Sequence, residues 1–347
     1  MWDPDAVSTA RYSRQQRVAG IGPDGQAAIS RATVLIVGIG ALGTHTAASL
    51  CRAGVGTLWL CDRDLVDLGN LQRQVLFDER DAQEGTPKAI AAARALRAAN
   101  SAVAIEPFVA HCGPDFLAAL PRLPDLVLDG TDNFATRYVL NDWSKQQRVP
   151  WIYAGAVGSE GASMVVRPDG PCLRCLWPDP PQGHDVGTCE TVGVLEPAIA
   201  AVTAFQAAEA LKILAGRTAD TTRGIFTCDV WRGSYSVLGA MSEQDPQCPV
   251  CRRERFPALL AGEPTAAVLC GRDAVQIDPP RRGTIDLEAL RGRLAAVVVD
   301  LERTPHYLAF TADGIQLRVF ASGRALLFGV HDLLRARAVY DRWIGAH

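Results

Sequence analysis

The chain has 347 residues, 48% of them hydrophobic and 21% charged, with a formal net charge of −3. That length leaves room for two domains, and the charge excludes the basic footprint that nucleic-acid binders carry. Met1–Arg14 holds no apolar run of the secretory kind, and the longest apolar stretch, Val194 to Gly216, is broken by Glu196, Glu209 and Lys212. A buried helix and a cytosolic protein are therefore expected, with no membrane span.

A helical arm is expected over residues 1–31. Thr33–Val37 is a short β-branched apolar run of the kind that forms buried parallel strands. It leads into Gly38-Ile39-Gly40-Ala41-Leu42-Gly43, a helical stretch to about Gly54, and a second strand at Thr57–Cys61 that closes on Asp62. Strand, glycine turn, helix and strand within about thirty residues make a βαβ unit. Gly38 permits the tight turn, Gly40 lets the backbone approach a phosphate, and Gly43 lets the helix pack close to the strand. The helix that opens at Ala41 points free N–H groups at an anion. Asp62 stands 24 residues after Gly38, where a carboxylate can hold both ribose hydroxyls, and Asp64 follows on the same loop. These residues specify a nucleotide fold without saying which nucleotide; the bland reading is a glycine turn alone.

Asn70-Leu71-Gln72-Arg73-Gln74 comes next, then Lys88 at the start of a helix predicted over Pro87–Asn100. Taken singly, Arg73 and Lys88 read as solvated surface charges. Just past a nucleotide strand they suit an ATP attacked at its α-phosphate, where charge builds on phosphoryl oxygens. Strands predicted at Val103–Pro107, Leu126–Asp129, Trp151–Ala154, Gly161–Arg167 and Gly224–Asp229 complete a doubly wound, mostly parallel α/β sheet. After the Leu126–Asp129 strand, Asp129-Gly130-Thr131-Asp132-Asn133 lies where ligands bind in such sheets. Asp132 there can hold Mg²⁺ against triphosphate oxygens; the plain alternative is an Asp-Gly turn with a helix cap. No Walker A sequence occurs, so the glycine turn has to cradle any ATP.

Cys172-Leu173-Arg174-Cys175 and Cys248-Pro249-Val250-Cys251 are two C-x-x-C knuckles separated by 72 residues. Together they predict a closed, structural Zn²⁺ site that staples distant segments. Pro178, Pro180, Pro181, Gly183 and Gly187 mark a surface segment, and Cys189 at its end is a candidate nucleophile. Cys51, Cys61 and Cys228 fall inside apolar elements and read as packing residues. The α/β domain is expected to span 1–255, a linker 256–265, and a small α+β appendage 266–347 with a hairpin turn at Asp313-Gly314.

These motifs, in this order over roughly Tyr12 to Arg252, resemble the ThiF and MoeB relatives of ubiquitin-activating enzymes. The resemblance implies ATP-dependent adenylation of the C-terminal Gly-Gly carboxylate of a β-grasp sulfur carrier, with release of pyrophosphate. It implies that Asp62 holds the ribose, that Arg73 and Lys88 hold the phosphates with Asn70, Gln74 and Asn133 around them, and that Asp132 holds the metal. It further implies a homodimer in which Arg14, within Arg11-Tyr12-Ser13-Arg14-Gln15, reaches the neighbour's nucleotide. Cys189 matches the position that in some members takes the acyl group as a thioester or persulfide, with a cysteine desulfurase or other sulfur donor as partner. Cys270-Gly271-Arg272-Asp273 departs from the rhodanese sulfur loop of some relatives, so no sulfurtransferase is expected. A Rossmann NAD(P)-dependent dehydrogenase would explain only the glycine turn and Asp62, and a silent carrier-docking subunit would not need the full set. A tRNA-modifying dehydratase would want a basic surface that the charge of −3 does not offer.

Overall fold

The computed structural model describes residues 4–180, 192–239, 243–260, 266–269, 274–279 and 284–345. The chain divides into two compact units, Met1–Ala261 and Gly262–His347.

The first unit opens with helices α1 (Pro4–Gln16) and α2 (Gly22–Ile29). Then follow β1 (Thr33–Val37), α3 (Ala41–Ala53), β2 (Thr57–Cys61), α4 (Glu79–Glu84), α5 (Lys88–Ala99) and β3 (Ala104–Phe108). Next come α6 (Pro114–Ala118), β4 (Leu126–Asp129), α7 (Phe134–Gln147), β5 (Trp151–Val157) and β6 (Glu160–Val166). The unit closes with α8 (Leu173–Leu176), α9 (Glu196–Leu214), β7 (Ile225–Asp229), β8 (Ser234–Leu238) and α10 (Pro257–Leu260).

Its eight strands run in the order β3-β2-β1-β4-β5-β6-β7-β8. The pairs from β3 through β5 are parallel and those from β5 through β8 antiparallel. Alternate residues of β1 serve two cores. Val34 and Ile36 join α3, α5 and α9 through Leu50, Leu96 and Ala207. Leu35 and Val37 join α6 and α7 through Phe116, Tyr138 and Trp143. Burial on both faces is why β1 reads as an unbroken apolar run. The strand order reverses between β1 and β4, which creates the crevice where such sheets bind ligands.

Helix α9 is apolar enough in length and composition to cross a membrane, yet half of it is buried in this unit. Its Gln206 donates to Asp129 O and Ile152 O and accepts from Thr46 Oγ1 at 2.7 Å, tying α3 to the sheet. Pro257–Leu260, inside the expected linker, form α10, whose Ala258 N–H donates to Asp142 of α7 at 2.9 Å.

The second unit contains β9 (Ala266–Leu269), β10 (Ala274–Ile277), α11 (Leu287–Leu294), β11 (Val299–Arg303), β12 (Tyr307–Ala312), β13 (Ile315–Phe320), β14 (Ala325–Phe328) and α12 (Leu333–Trp343). Its antiparallel sheet runs β11-β12-β13-β14-β10-β9, and both helices share a core with Val275, Phe310 and Leu327. Asp313 and Gly314 both take positive φ, 51° and 74°, the conformation a two-residue hairpin turn demands.

Candidate functional site

Three backbones meet at the β1/β4 switch point because three residues lack side chains. A Cβ on Gly43 would lie 1.9 Å from Gly38 O, and one on Gly130 would lie 2.2 Å from the same oxygen. Gly38 adopts φ 83°, and its N–H donates to Cys61 O at 2.8 Å. Gly40 is different: the nearest atom to its absent Cβ is Gln74 Nε2 at 3.8 Å, so its surface is open toward a ligand. Helix α3 starts there with Gly40 as its cap and no side-chain capping bond, leaving N–H groups for an anion.

Asp62, the expected ribose ligand, is engaged with the backbone of this chain. Its Oδ2 accepts from Ile39 N at 2.7 Å and its Oδ1 from Asp64 N at 2.6 Å, so it braces the glycine turn from β2. Burial pushes its carboxyl up, while the nearby Lys88 ammonium and the two N–H donors pull the other way. Each oxygen keeps a lone pair for a further donor. Lys88, only 5% exposed, sits 3.3 Å from Asp64 Oδ2. It is therefore a buried, directed ammonium and not a solvated one. Arg73 donates to Gly69 O at 3.0 Å and to Asn70 Oδ1 at 3.4 Å, and Gln74 donates to the same Asn70 oxygen at 2.7 Å. Gln74 Oε1 is buried without a partner among the described residues, an acceptor available beside the turn.

At the end of β4, Asp129 Oδ1 accepts from both the N–H and the hydroxyl of Thr131, at 2.8 and 2.7 Å. Asn133 caps α7 by accepting from Thr136 N at 2.9 Å, and Asp132 between them is exposed. A single exposed carboxylate at this rim fits the one or two that Mg²⁺ takes alongside phosphate oxygens. The residue that fixes this turn went unnoticed in the sequence: buried Arg137 donates to Asp129 Oδ2, Thr131 O and Ala154 O at 3.0, 2.7 and 3.0 Å.

The four knuckle cysteines converge. Their Sγ atoms all lie within 4.8 Å of one another, with Cys172–Cys248 and Cys175–Cys251 at 3.7 Å and Cys172–Cys175 at 4.0 Å. Four sulfurs bound tetrahedrally to zinc stand about 3.8 Å apart, so the set fits that ion. The hydrogen bond from Cys172 leads the effects that lower the Cys248 thiol to about 6. Helix α7 holds this centre too. Asp142 takes Arg174 in a two-point pair at 2.8 and 3.1 Å, Asn141 Oδ1 accepts from Leu173 N at 2.8 Å, and Lys145 donates to Arg167 O, Pro168 O and Gly170 O. Asn133, Arg137, Asn141 and Lys145 recur every four residues, the one sequence signal that could have revealed this polar face.

Gly38, Gly40, Ala41, Gly43, Asp62, Asp64, Asn70, Arg73, Gln74, Lys88, Asp132 and Asn133 thus line or support one sheet rim. Arg14 is exposed on α1, with no contact to that rim within this chain among the described contacts. Cys189 and Cys270 lie outside the described residues. Cys51, Cys61 and Cys228 are buried, as expected of packing residues.

A sequence profile described as the ThiF family matches residues 12–250. The sulfur carrier protein ThiS adenylyltransferase of Bacillus subtilis is 40% identical over 339 residues, 97% of this chain and 100% of that protein. The SAMP-activating enzyme E1 of Haloferax volcanii is 36% identical over 247 residues, 71% of this chain and 90% of that protein. Among solved structures, E. coli MccB with ATP superposes with a TM-score of 0.60 at 23% identity, over 70% of this chain and 74% of that one, a likeness of fold.

Proposed function

Because the chain belongs to the ThiF family, we propose that it adenylates the C-terminal Gly-Gly carboxylate of a small ubiquitin-like sulfur carrier at the expense of ATP. The observation that carries this reading is Lys88, buried against Asp64 and tied through Asp62 to the glycine turn.

In the reaction a carrier carboxylate oxygen attacks the α-phosphorus. A new P–O bond forms as the bond to the β-phosphate breaks, and pyrophosphate leaves with that electron pair. The nucleophile is already ionised, so no general base is needed. What the protein has to supply is charge where charge develops: the Lys88 ammonium, the Arg73 guanidinium and the free N–H groups of α3. Each preplaced donor of this kind is worth about 10²–10³ in rate. The remaining lone pairs of Asp62 would hold the ribose. Asp132 would hold Mg²⁺, which neutralises triphosphate charge when bound. Zinc on Cys172, Cys175, Cys248 and Cys251 would fasten the α8 knuckle to the segment before α10.

A second copy of the chain fits the apolar surface formed by Ala204, Phe205 and Ala208 of α9 and by Tyr235 and Val237 of β8. Phe205 stacks on Phe226 at 4.3 Å, and Val237 pairs with Phe226 across the strands, so the surface is continuous. In that homodimer Arg14 would serve the neighbouring nucleotide. Cys189 precedes Gly193, whose carbonyl accepts from Gly158 N at 2.8 Å. It would take the acyl group from the adenylate as AMP leaves, with a sulfur donor such as a cysteine desulfurase acting next. The reducing cytosol suits this thiol chemistry.

Carrier-dependent exchange of radiolabelled pyrophosphate into ATP tests the proposal. Exchange that requires a Gly-Gly carrier supports it; no exchange, with NAD(P)H turnover instead, would assign the fold to a dehydrogenase.

A further inference from the structure

Two hydrogen-bond donors at the rim remain unaccounted for by nucleotide binding. Arg137 is 6% exposed, and its Nε and Nη2 are fully engaged with Asp129, Thr131 and Ala154. Two rings lie close to it, with its central carbon 5.1 Å from the Phe134 centroid and 5.0 Å from that of Tyr153. Three bonds and two rings leave this guanidinium one orientation. Nη1 has no partner among the described residues and is not one of the sealed, unbonded polar atoms. The small exposed part of Arg137 therefore includes that amino group.

The Tyr153 hydroxyl shares both properties: it has no partner among the described residues, and it is not sealed. Its position depends on Gly155, two residues further along β5. A Cβ on Gly155 would lie 2.7 Å from the Tyr153 oxygen and 3.6 Å from Arg137 Nη2. Only because Gly155 has no side chain can the Tyr153 ring lean along the strand until its hydroxyl stands beside Arg137. The pair adjoins the Thr131–Asn133 turn, since Arg137 holds Thr131 O, and the Asp132 carboxylate is near enough to act on Arg137 electrostatically.

We propose that Arg137 Nη1 and the Tyr153 hydroxyl form the subsite that receives the C-terminal diglycine segment of the carrier, donating to its carboxylate and last peptide carbonyl, with Gly155 as the residue that sets their spacing. This rests on the adenylation reading above. A diglycine has acceptors and no side chains, which matches two fixed donors on a flat strand end. A bound tail covers both donors and shuts out water, and a covered donor left unpaired is costly, so the subsite also selects against a carrier tail lacking these acceptors.

The test is steady-state pyrophosphate exchange with a ThiS carrier ending in Gly-Gly, varying carrier and ATP separately. Tyr153→Phe, which keeps the ring and its packing, should raise the carrier KM about tenfold, the effect of losing one hydrogen bond to a charged group. Gly155→Ala should do the same by displacing the hydroxyl. Arg137→Lys should raise it further. The ATP KM of Tyr153→Phe should stay within about twofold of wild type, a split that general loosening of the rim would not produce. Unchanged carrier KM in both Tyr153→Phe and Gly155→Ala would overturn the subsite, whether or not Arg137→Lys folds. Equal rises in carrier and ATP KM for Tyr153→Phe would overturn it as well. Absence of exchange in the wild-type protein would instead remove the adenylation reading and the subsite with it.

Discussion

Arg137 Nε donates to Asp129 Oδ2 at 3.0 Å, and neither side chain is more than 7% exposed. The pair stands where β4 ends, so the turn carrying Asp132 inherits its geometry from a buried ion pair. Burial pushes the Asp129 carboxyl up; the guanidinium and the two Thr131 bonds oppose it. Breaking such a pair leaves an uncompensated buried charge. Asp129→Ala should therefore cost about 3–5 kcal/mol of stability. Urea denaturation measures this, and a loss under about 1 kcal/mol would mean that the pair does not hold the turn.

Gly40 and Gly43, two of the three glycines of the turn after β1, should respond oppositely to alanine. In Gly43→Ala the new methyl group meets Gly38 O, a backbone atom with nowhere to go. That variant should lose at least about 3 kcal/mol. In Gly40→Ala the nearest neighbour is the end of the Gln74 side chain at 3.8 Å. It should fold within about 1 kcal/mol of wild type yet bind ATP weakly, because the methyl occupies the space a phosphate approaches. Thermal unfolding with and without ATP separates the two cases.

The cysteine centre predicts one zinc per chain, lost in Cys248→Ser. Apparent binding energies of closed thiolate sites are about 10–16 kcal/mol at neutral pH, so metal loss should lower the unfolding temperature sharply. Elemental analysis of the purified protein beside a melting curve checks both. A zinc-free wild type with an unchanged melt would refute the staple.

His45 of α3 lies 3.3 Å from Glu196 at the start of α9, and burial holds its imidazole below the ordinary 6.5, with Glu196 pulling it back up. Since the unfolded chain then binds the proton more tightly, the stability tied to neutral His45 is full above pH 6.5 and fades as pH falls below it. His45→Gln should flatten the fall in the denaturation midpoint between pH 7 and 5. An identical slope in both proteins would rule His45 out as its source.

Much of the site was legible because its chemistry is local. The β1 run, the glycine turn and Asp62 sit on one βαβ unit, and paired C-x-x-C spacing carries its own meaning. Arg137, Asn141, Asp142 and Lys145 were not legible, because polar residues at four-residue spacing on a helix ordinarily mark a solvated face. Only tertiary partners, Asp129 at one end and the α8 knuckle at the other, turn that face inward. Strand β8 escaped notice since Ser234–Leu238 is exposed on both sides, so no burial pattern marks it. In the second unit, β10 pairs with β14 across some fifty residues, a contact that no local pattern encodes. The position of Asp62 after β2 suggests a ribose ligand from sequence alone, whereas its grip on Ile39 N depends on the folded turn.

The proposed adenylation requires Arg73 and Lys88 to serve a transferred phosphoryl group. Intact mass spectrometry of a ThiS carrier ending in Gly-Gly, incubated with ATP, Mg²⁺ and enzyme, measures it most directly. Wild-type enzyme should convert the carrier to its AMP adduct, while folded Arg73→Ala and Lys88→Ala proteins leave it unmodified. Full adduct formation by either variant, or none by wild type, would contradict the account.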